Sequence, residues 1–495
     1  MVNSRTFTPV VFAAAGAACG FYALSPLYHN NIISLAGFYL IMLAPLSALC
    51  FVHVLSSSVL AVSRTARIAM RRVLAFTAGL ALGIGAGGNA VQQFHLGLAP
   101  EKIIGIAGVM AEDPHTINGG RVIAALKLRN VFAESGLRTG ASGEITVVFP
   151  ELNAGQLKGY GRGSTVFCNG VIRNGASGTL FRADSVHITK NAPPLENFRT
   201  NVRNSLIRRF GSGAWGQLSL ALLIGVRDTL DSGITGLYRD AGCAYLLALS
   251  GMHLAIIASL IAFLLKKPLG MKAAAIAGAL IIAAYCLLVG PLPSLTRSAF
   301  MYLLGVLAVT GFMKRDAISL LSMAFLLQIT FMPGSGNTIS FILSYLALIG
   351  IVYVGGAVNY IFRGKIPALI LNSLSMSAGA FLLTAGVSVY YFSVLRPIGI
   401  ATSLILVPLI TVYMIGSIVW LALDIIAPVL SGFTSPVLSF IYNLMEKIVR
   451  TAAHAPPFPP AGFWFILAGS LFISVFLVWF AAWRKTVRNR IPAFT

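Results

Sequence analysis

Apolar runs long enough to cross a bilayer recur along this chain, in two groups that flank one polar stretch. Three runs precede it, at about 7–24, 32–55 and 73–91. Nine follow it, at about 245–265, 273–288, 295–312, 317–332, 339–362, 366–390, 398–421, 425–444 and 463–483. A helix needs roughly 20 apolar residues to span the hydrocarbon core, so each run is a candidate crossing. Together they predict about twelve crossings, provided that 425–444 crosses despite Pro428 and Gly432.

The polar stretch, about 100–194, differs in kind. It carries five short β-like segments, near 103–109, 121–131, 144–149, 165–171 and 180–188, with the dipeptides Asn118-Gly119, Asn169-Gly170 and Asn174-Gly175 read as turns. Five strands in so short a span suit a small β-barrel, and the OB-fold leads. A basic connector follows over 197–210 with Arg199, Arg203, Arg208 and Arg209, expected along the membrane surface. The run 218–226 is too short to cross and reads as interfacial or re-entrant. The predicted fold is therefore mainly α, a polytopic transmembrane helical bundle with an OB-like β-barrel domain outside the cytoplasm. Its divisions fall at 1–95 (amino-terminal helices), 96–195 (OB-like domain), 196–226 (connector) and 227–495 (the second helical group).

Composition sharpens this picture. Of 495 residues, 57% are hydrophobic and 10% charged, with a mean hydropathy of +0.84. A soluble chain carries roughly 25% charged residues, so lipid is the solvent for most of this one. The net charge of +22 reads first as cytoplasmic loops rich in Lys and Arg. Arg64, Arg67, Arg71 and Arg72 crowd the link after the second run. Lys266, Lys267 and Lys272, then Lys314 and Arg315, then Arg363 and Lys365, fall on alternate later loops, and Arg484, Lys485, Arg488 and Arg490 close the chain. Placed inside together, they put both termini in the cytoplasm and the polar domain outside. The first run reads as an anchored helix rather than a cleaved leader, with Gly16 and Gly20 as a small face for helix packing. Five cysteines show no metal-finger spacing; a Cys168–Cys243 disulfide and two free thiols both remain open.

The candidate chemistry lies mostly in the second group. Residues 240–253 place Ser250, Gly251 and His253 just inside an apolar run, where polar groups are costly and face protein or water. Ser250 and His253 stand three apart, within reach on a helix. A hydrolytic dyad would lack an orienting acid and a nucleophile elbow, so a polar lining or a packing role is expected instead. Arg297, near the start of its run, either snorkels to the interface or faces a wet cavity with its planar fork. In the polar domain, Phe149, Tyr160, Phe167 and Phe181, beside Arg162, Arg173 and Arg182, offer stacking platforms for bases or else fill and solvate a barrel. The seven histidines are scattered and no G-x-x-x-x-G-K-[ST] loop occurs, so neither a metal nuclease nor an ATPase is expected, and no cofactor.

Residues 242–253 resemble the G-x-x-H-L-L-A-x-S-G-x-H signature of the ComEC competence family. Arg297 to Met301 is similar to its R-A-x-x-M element, and 341–345, with Ser344, to its F-x-L-S-F. Residues 375–408 follow its small-residue helix, aromatic outer loop and late proline, so the likeness runs over about 220–412. The signature's first histidine is Tyr245 here, and Ser298 stands where the family has alanine. Many members continue into a metallo-β-lactamase-like nuclease domain, which this sequence is expected to lack. The resemblance implies a non-enzymatic channel in the bacterial inner membrane that passes single-stranded DNA during natural transformation. Tyr245, Ser250, Gly251, His253, Arg297 and Ser344 are its candidate path and motif residues. Membrane lipid surrounds it, and the implied partners are a DNA receptor, a cytosolic helicase and a separate nuclease. A transporter of another anionic or lipidic substrate, and a non-conducting scaffold, are the alternatives.

Overall fold

A computed structural model describes residues 9–29, 64–92, 96–116, 122–149, 161–175, 178–211, 213–227, 230–290, 292–309, 316–458 and 463–490. The run at 32–55, the Asn118-Gly119 turn, Tyr160, Lys314 and Arg315 lie outside the described residues.

Two helices open the chain, α1 (Pro9–His29) and α2 (Arg64–Gln92). Glycines four apart on each let the backbones touch. A Cβ at Gly16 or Gly20 would strike the carbonyls of Phe76 or Leu80, and one at Gly79 or Gly83 those of Ala13 or Ala17. Close backbone approach of this kind is how helices associate where lipid removes the hydrophobic drive.

The polar stretch forms seven strands: β1 (Ile103–Met110), β2 (His115–Thr116), β3 (Val122–Ala133), β4 (Arg138–Gly140), β5 (Glu144–Val148), β6 (Thr165–Gly175) and β7 (Gly178–Lys190). The five long ones, β1, β3, β5, β6 and β7, pair in a circuit. In chain order it runs first–second–third–fifth–fourth and back to the first, with β5 and β7 parallel and the other pairs antiparallel. Alternate residues, among them Ile106, Leu126, Val131, Ile145, Val147, Val166, Cys168 and Phe181, point into one buried core. Burial pushes the Cys168 thiol up to about 12. Cys168 and Cys243 are both free and buried, in different cores, so no disulfide joins them. Asn169-Gly170 makes a register shift inside β6 rather than a turn: a side chain at Gly170 would press on the Ala183 backbone across the ladder.

The connector is two helices, α3 (Pro194–Phe210) and α4 (Ala214–Ile224). Three basic residues of α3 meet acids. Arg199 and Arg203 reach Asp113 of the sheet domain at 3.1 and 2.9 Å, and Arg209 reaches Asp424 at 2.7 Å. The apolar α4 is buried almost entirely, among residues such as Leu406, Ile410 and Tyr413. A helix hydrophobic on every side has to be enclosed.

Beyond it come α5 (Ser232–Asp240), α6 (Gly251–Val289), α7 (Pro293–Val309), α8 (Ala317–Phe331), α9 (Ile339–Gly350), α10 (Gly356–Phe362), α11 (Ala368–Phe392), α12 (Ile398–Ile426), α13 (Pro428–Ala453) and α14 (Phe463–Arg490). One π turn, Ile351–Gly355, joins α9 to α10. Among the described residues, five helical stretches are long and apolar enough to cross a membrane: Gly251–Val289, Ile339–Phe362, Ala368–Phe392, Ile398–Ile426 and Phe465–Arg484. The protein is a membrane protein, mostly helical, with a separate sheet domain. The first of the five is two legs. Gly270, at φ 75° and ψ 171°, breaks the helix beside Pro268, and Leu254 and Ala258 then pack against Ile282 across the turn.

Candidate functional site

The site is built where a helix expected from Tyr245 fails to start. Residues 241–250 are irregular apart from one 3-10 turn, Ala244–Leu246, and α6 begins only at Gly251. Neighbours hold this segment. Gly242 takes φ 72° where a Cβ would meet the Arg396 carbonyl at 2.8 Å. Arg396 itself bonds the Asp240 carbonyl at 2.8 Å and its carboxylate at 3.1 Å. Ser294 of α7 donates to the Leu249 carbonyl at 2.7 Å. Irregular backbone among membrane helices persists only when protein or a wet cavity satisfies it in this way.

Ser250 is the N-cap of α6 and His253 its third residue. The backbone N–H of Ser250 donates to His253 Nδ1 at 3.0 Å, and the Ser250 hydroxyl lies 2.9 Å from the same nitrogen. This is a capping box in which His253 takes the place usually held by Glu or Gln. A neutral ring with Nδ1 accepting carries its proton on Nε2, which is buried and lacks a partner of normal hydrogen-bond geometry; the Leu246 carbonyl bears on the ring. The guanidinium of Arg227, in the loop after α4, also acts electrostatically on it. His253 is fully buried, and its Nδ1 accepts from the residue that caps α6.

Gly251 follows for a steric reason. A Cβ there would stand 2.7 Å from Arg297 Nη2 and 2.6 Å from Ser298 Oγ. Arg297 is only 5% exposed. Its Nη1 donates to the Ser344 carbonyl at 2.6 Å and also to the Ser344 hydroxyl, and its Nη2 to Ser298 Oγ at 3.1 Å. The guanidinium carbon lies 5.8 Å from the centre of the Tyr345 ring. Tyr345 passes the network on, donating to Gln328 Oε1 at 3.0 Å, and Gln328 donates to the Pro293 carbonyl at 2.9 Å. No carboxylate pairs with Arg297 among the described residues. The structure therefore brings Ser250, Gly251, His253, Arg297 and Ser344 together where α6, α7 and α9 meet. Tyr245 stands apart, its hydroxyl 2.6 Å from Ser403 of α12.

A family model described as "Competence protein" matches residues 222–486. The chain belongs to the competence protein family. That match begins in α4 and runs into α14, so the site lies inside it and the sheet domain outside it. A protein from Aquifex aeolicus (strain VF5), described as "Uncharacterized protein", is 25% identical over 256 residues, 52% of this chain and 55% of its own length. The chain thus spans about half the length of that relative. No solved structure matches. Among the described residues there is also no group of three His, Cys, Asp or Glu that would hold a metal ion.

The sheet-domain candidates separate. Phe181 is fully buried in the core, as is Phe149, and neither presents a face for a base. Arg173 and Arg182 are exposed on one face of the β6–β7 ladder. Phe167 is half-buried, edge-to-face with Phe132 at 5.1 Å, and Arg138 lies over Phe132 at 5.9 Å. Arg162 belongs to the joint below, 3.6 Å from Glu196, with its backbone N–H on Asp113. Sequence reasoning missed Phe132 and Asp113. Both become visible only once strand register and the docking of α3 are known.

Proposed function

We propose that this protein is a channel for single-stranded DNA in the bacterial inner membrane, acting in natural transformation. The observation that carries the reading is a buried arginine without a carboxylate partner. It is set against the glycine and serine that open a broken membrane helix, inside the region shared with the competence family. A translocating strand presents phosphates one after another, and a planar fork backed by neutral donors meets each without trapping it. The irregular segment 241–250 leads into Gly251, which lies against that arginine, while the exposed Tyr245 is set apart from it.

In this reading about twelve helices cross, both termini are cytoplasmic, and the protein moves DNA without catalysing a reaction. The sheet domain is an OB-like barrel on the outer side; the closed pairing circuit with its one parallel pair supports that assignment. Its outer face, with Phe167, Phe132, Arg138, Arg173 and Arg182, meets the incoming strand by stacking and charge. A DNA receptor upstream, and a cytosolic helicase and separate nuclease, are the implied partners.

The test is uptake of labelled DNA and recovery of transformants. A deletion strain is expected to lose both, and Arg297→Ala, inserted at wild-type level, to reduce uptake at least tenfold, about 1.4 kcal/mol. Normal transformation in the deletion strain would end the proposal; normal uptake by the variant would take Arg297 out of the path.

A further inference from the structure

A cleft of about 300 Å³ opens beside Arg297 between α6, α7 and α9. Leu254, Ala258, Met301 and Leu348 line it, and Arg297 and Ser298 form its polar end. A guanidinium has five N–H donors. Nη1 gives up to two of them to Ser344 and Nη2 gives one to Ser298, while the buried Nε–H has no partner. Nε–H and the second N–H of Nη2 are thus left without a partner among the described residues, on a guanidinium that borders the cleft. The bare Gly251 brings the first turn of α6, the positive end of that helix, against the same guanidinium. Positive charge is thus gathered in a buried place with no acid beside it among the described residues, a desolvation cost that a bound anion would relieve.

The rest of such a ligand is constrained by the walls, which are hydrocarbon. We propose that the cleft binds an anionic amphiphile: its head at the Arg297 and Ser298 end, its hydrocarbon chain along Leu254, Ala258, Met301 and Leu348. The chemistry is that of an anionic phospholipid or a fatty acid. The inference needs no premise about DNA, only the cleft and its single cation.

The test uses the full chain purified in detergent and stripped of lipid, read by native mass spectrometry and thermal shift. Phosphatidylglycerol, phosphatidylcholine with the same chains, and inorganic phosphate are the probes. Wild type is expected to hold phosphatidylglycerol at least tenfold more tightly than phosphatidylcholine. Arg297→Gln is expected to erase that preference. Ala255→Trp, on the exposed wall of the cleft, leaves the charge in place and is expected to weaken both lipids several-fold. Should Arg297→Gln not fold, Ala255→Trp decides. Equal binding of the two lipids by wild type, or phosphatidylglycerol binding untouched by either variant, would overturn the proposal. Inorganic phosphate stabilising the protein as well as phosphatidylglycerol would make this a small-anion site and overturn it too. DNA uptake is scored separately in cells. A failed lipid test therefore leaves the channel reading standing, and lost uptake with intact lipid selectivity does not touch this one.

Discussion

A buried histidine next to a serine invites a catalytic reading, and the geometry of His253 offers another, a helix cap. Its Nδ1 is occupied by the Ser250 backbone, and the ring is closed from solvent. If its work is to cap α6, a glutamine, which serves the same place in a capping box, should replace it. His253→Gln is expected to keep thermal stability and function near wild type. His253→Ala should lose about 1–3 kcal/mol, as expected for a missing cap plus an unsatisfied buried N–H. Melting curves of the purified variants, with uptake alongside, decide this; equal loss in both variants would return the imidazole to a chemical role. Tyr245, where the family pattern has a histidine, bonds Ser403 of α12, so it supplies a polar link to a different helix.

At the scale of elements, short contacts between backbones hold the membrane part together. The α1–α2 pair depends on four glycines, and α9 and α11 meet in the same way through Gly350 and Gly379. Gly79→Ala would put a methyl group against the Ala13 carbonyl and is expected to cost about 1–3 kcal/mol in the melting of the purified protein. Gly305→Ala, with nothing within 4 Å, is the control and should leave stability unchanged or slightly raised. Similar losses at both positions would mean that α1 and α2 do not pack through these glycines. Elsewhere a glycine does the opposite work, ending a helix: Gly270 divides α6 into two legs.

For the whole molecule the question is how a domain in water is tied to a bundle in lipid. Asp113 of the sheet domain accepts from Arg199, Arg203 and the Arg162 backbone, and Arg199 Nε donates to the Leu288 carbonyl near the end of α6. Asp113 thus ties the sheet domain to α3, and Arg199 ties α3 to α6. The same joint makes the side on which the sheet domain stands a property of the bundle. A periplasmically active reporter fused after Gly140, at the end of β4, is expected to be active, and a cytoplasmically active one silent. The reverse pattern would invert the orientation proposed from the loop charges.

The sequence by itself determined that lipid is the solvent, where apolar helices fall, and that one region between them is built of short strands. Hydrophobic run length and period-two alternation are local, and they survive without knowledge of partners. It also marked Ser250, Gly251, His253, Arg297 and Ser344, since polar residues inside apolar runs are conspicuous. What each of them does was not legible. Whether Arg297 faces water, lipid or protein depends on Ser344, 47 positions away, and on a missing Cβ at Gly251. Whether Phe181 stacks on a ligand or fills a core depends on which face of the β6–β7 ladder it occupies. That α3 is tied to the sheet domain was hidden, because its acid, Asp113, lies about 90 residues earlier. Only the tertiary structure decided these points, because burial, pairing of charge and the closing of a cleft are contacts between segments far apart in the chain.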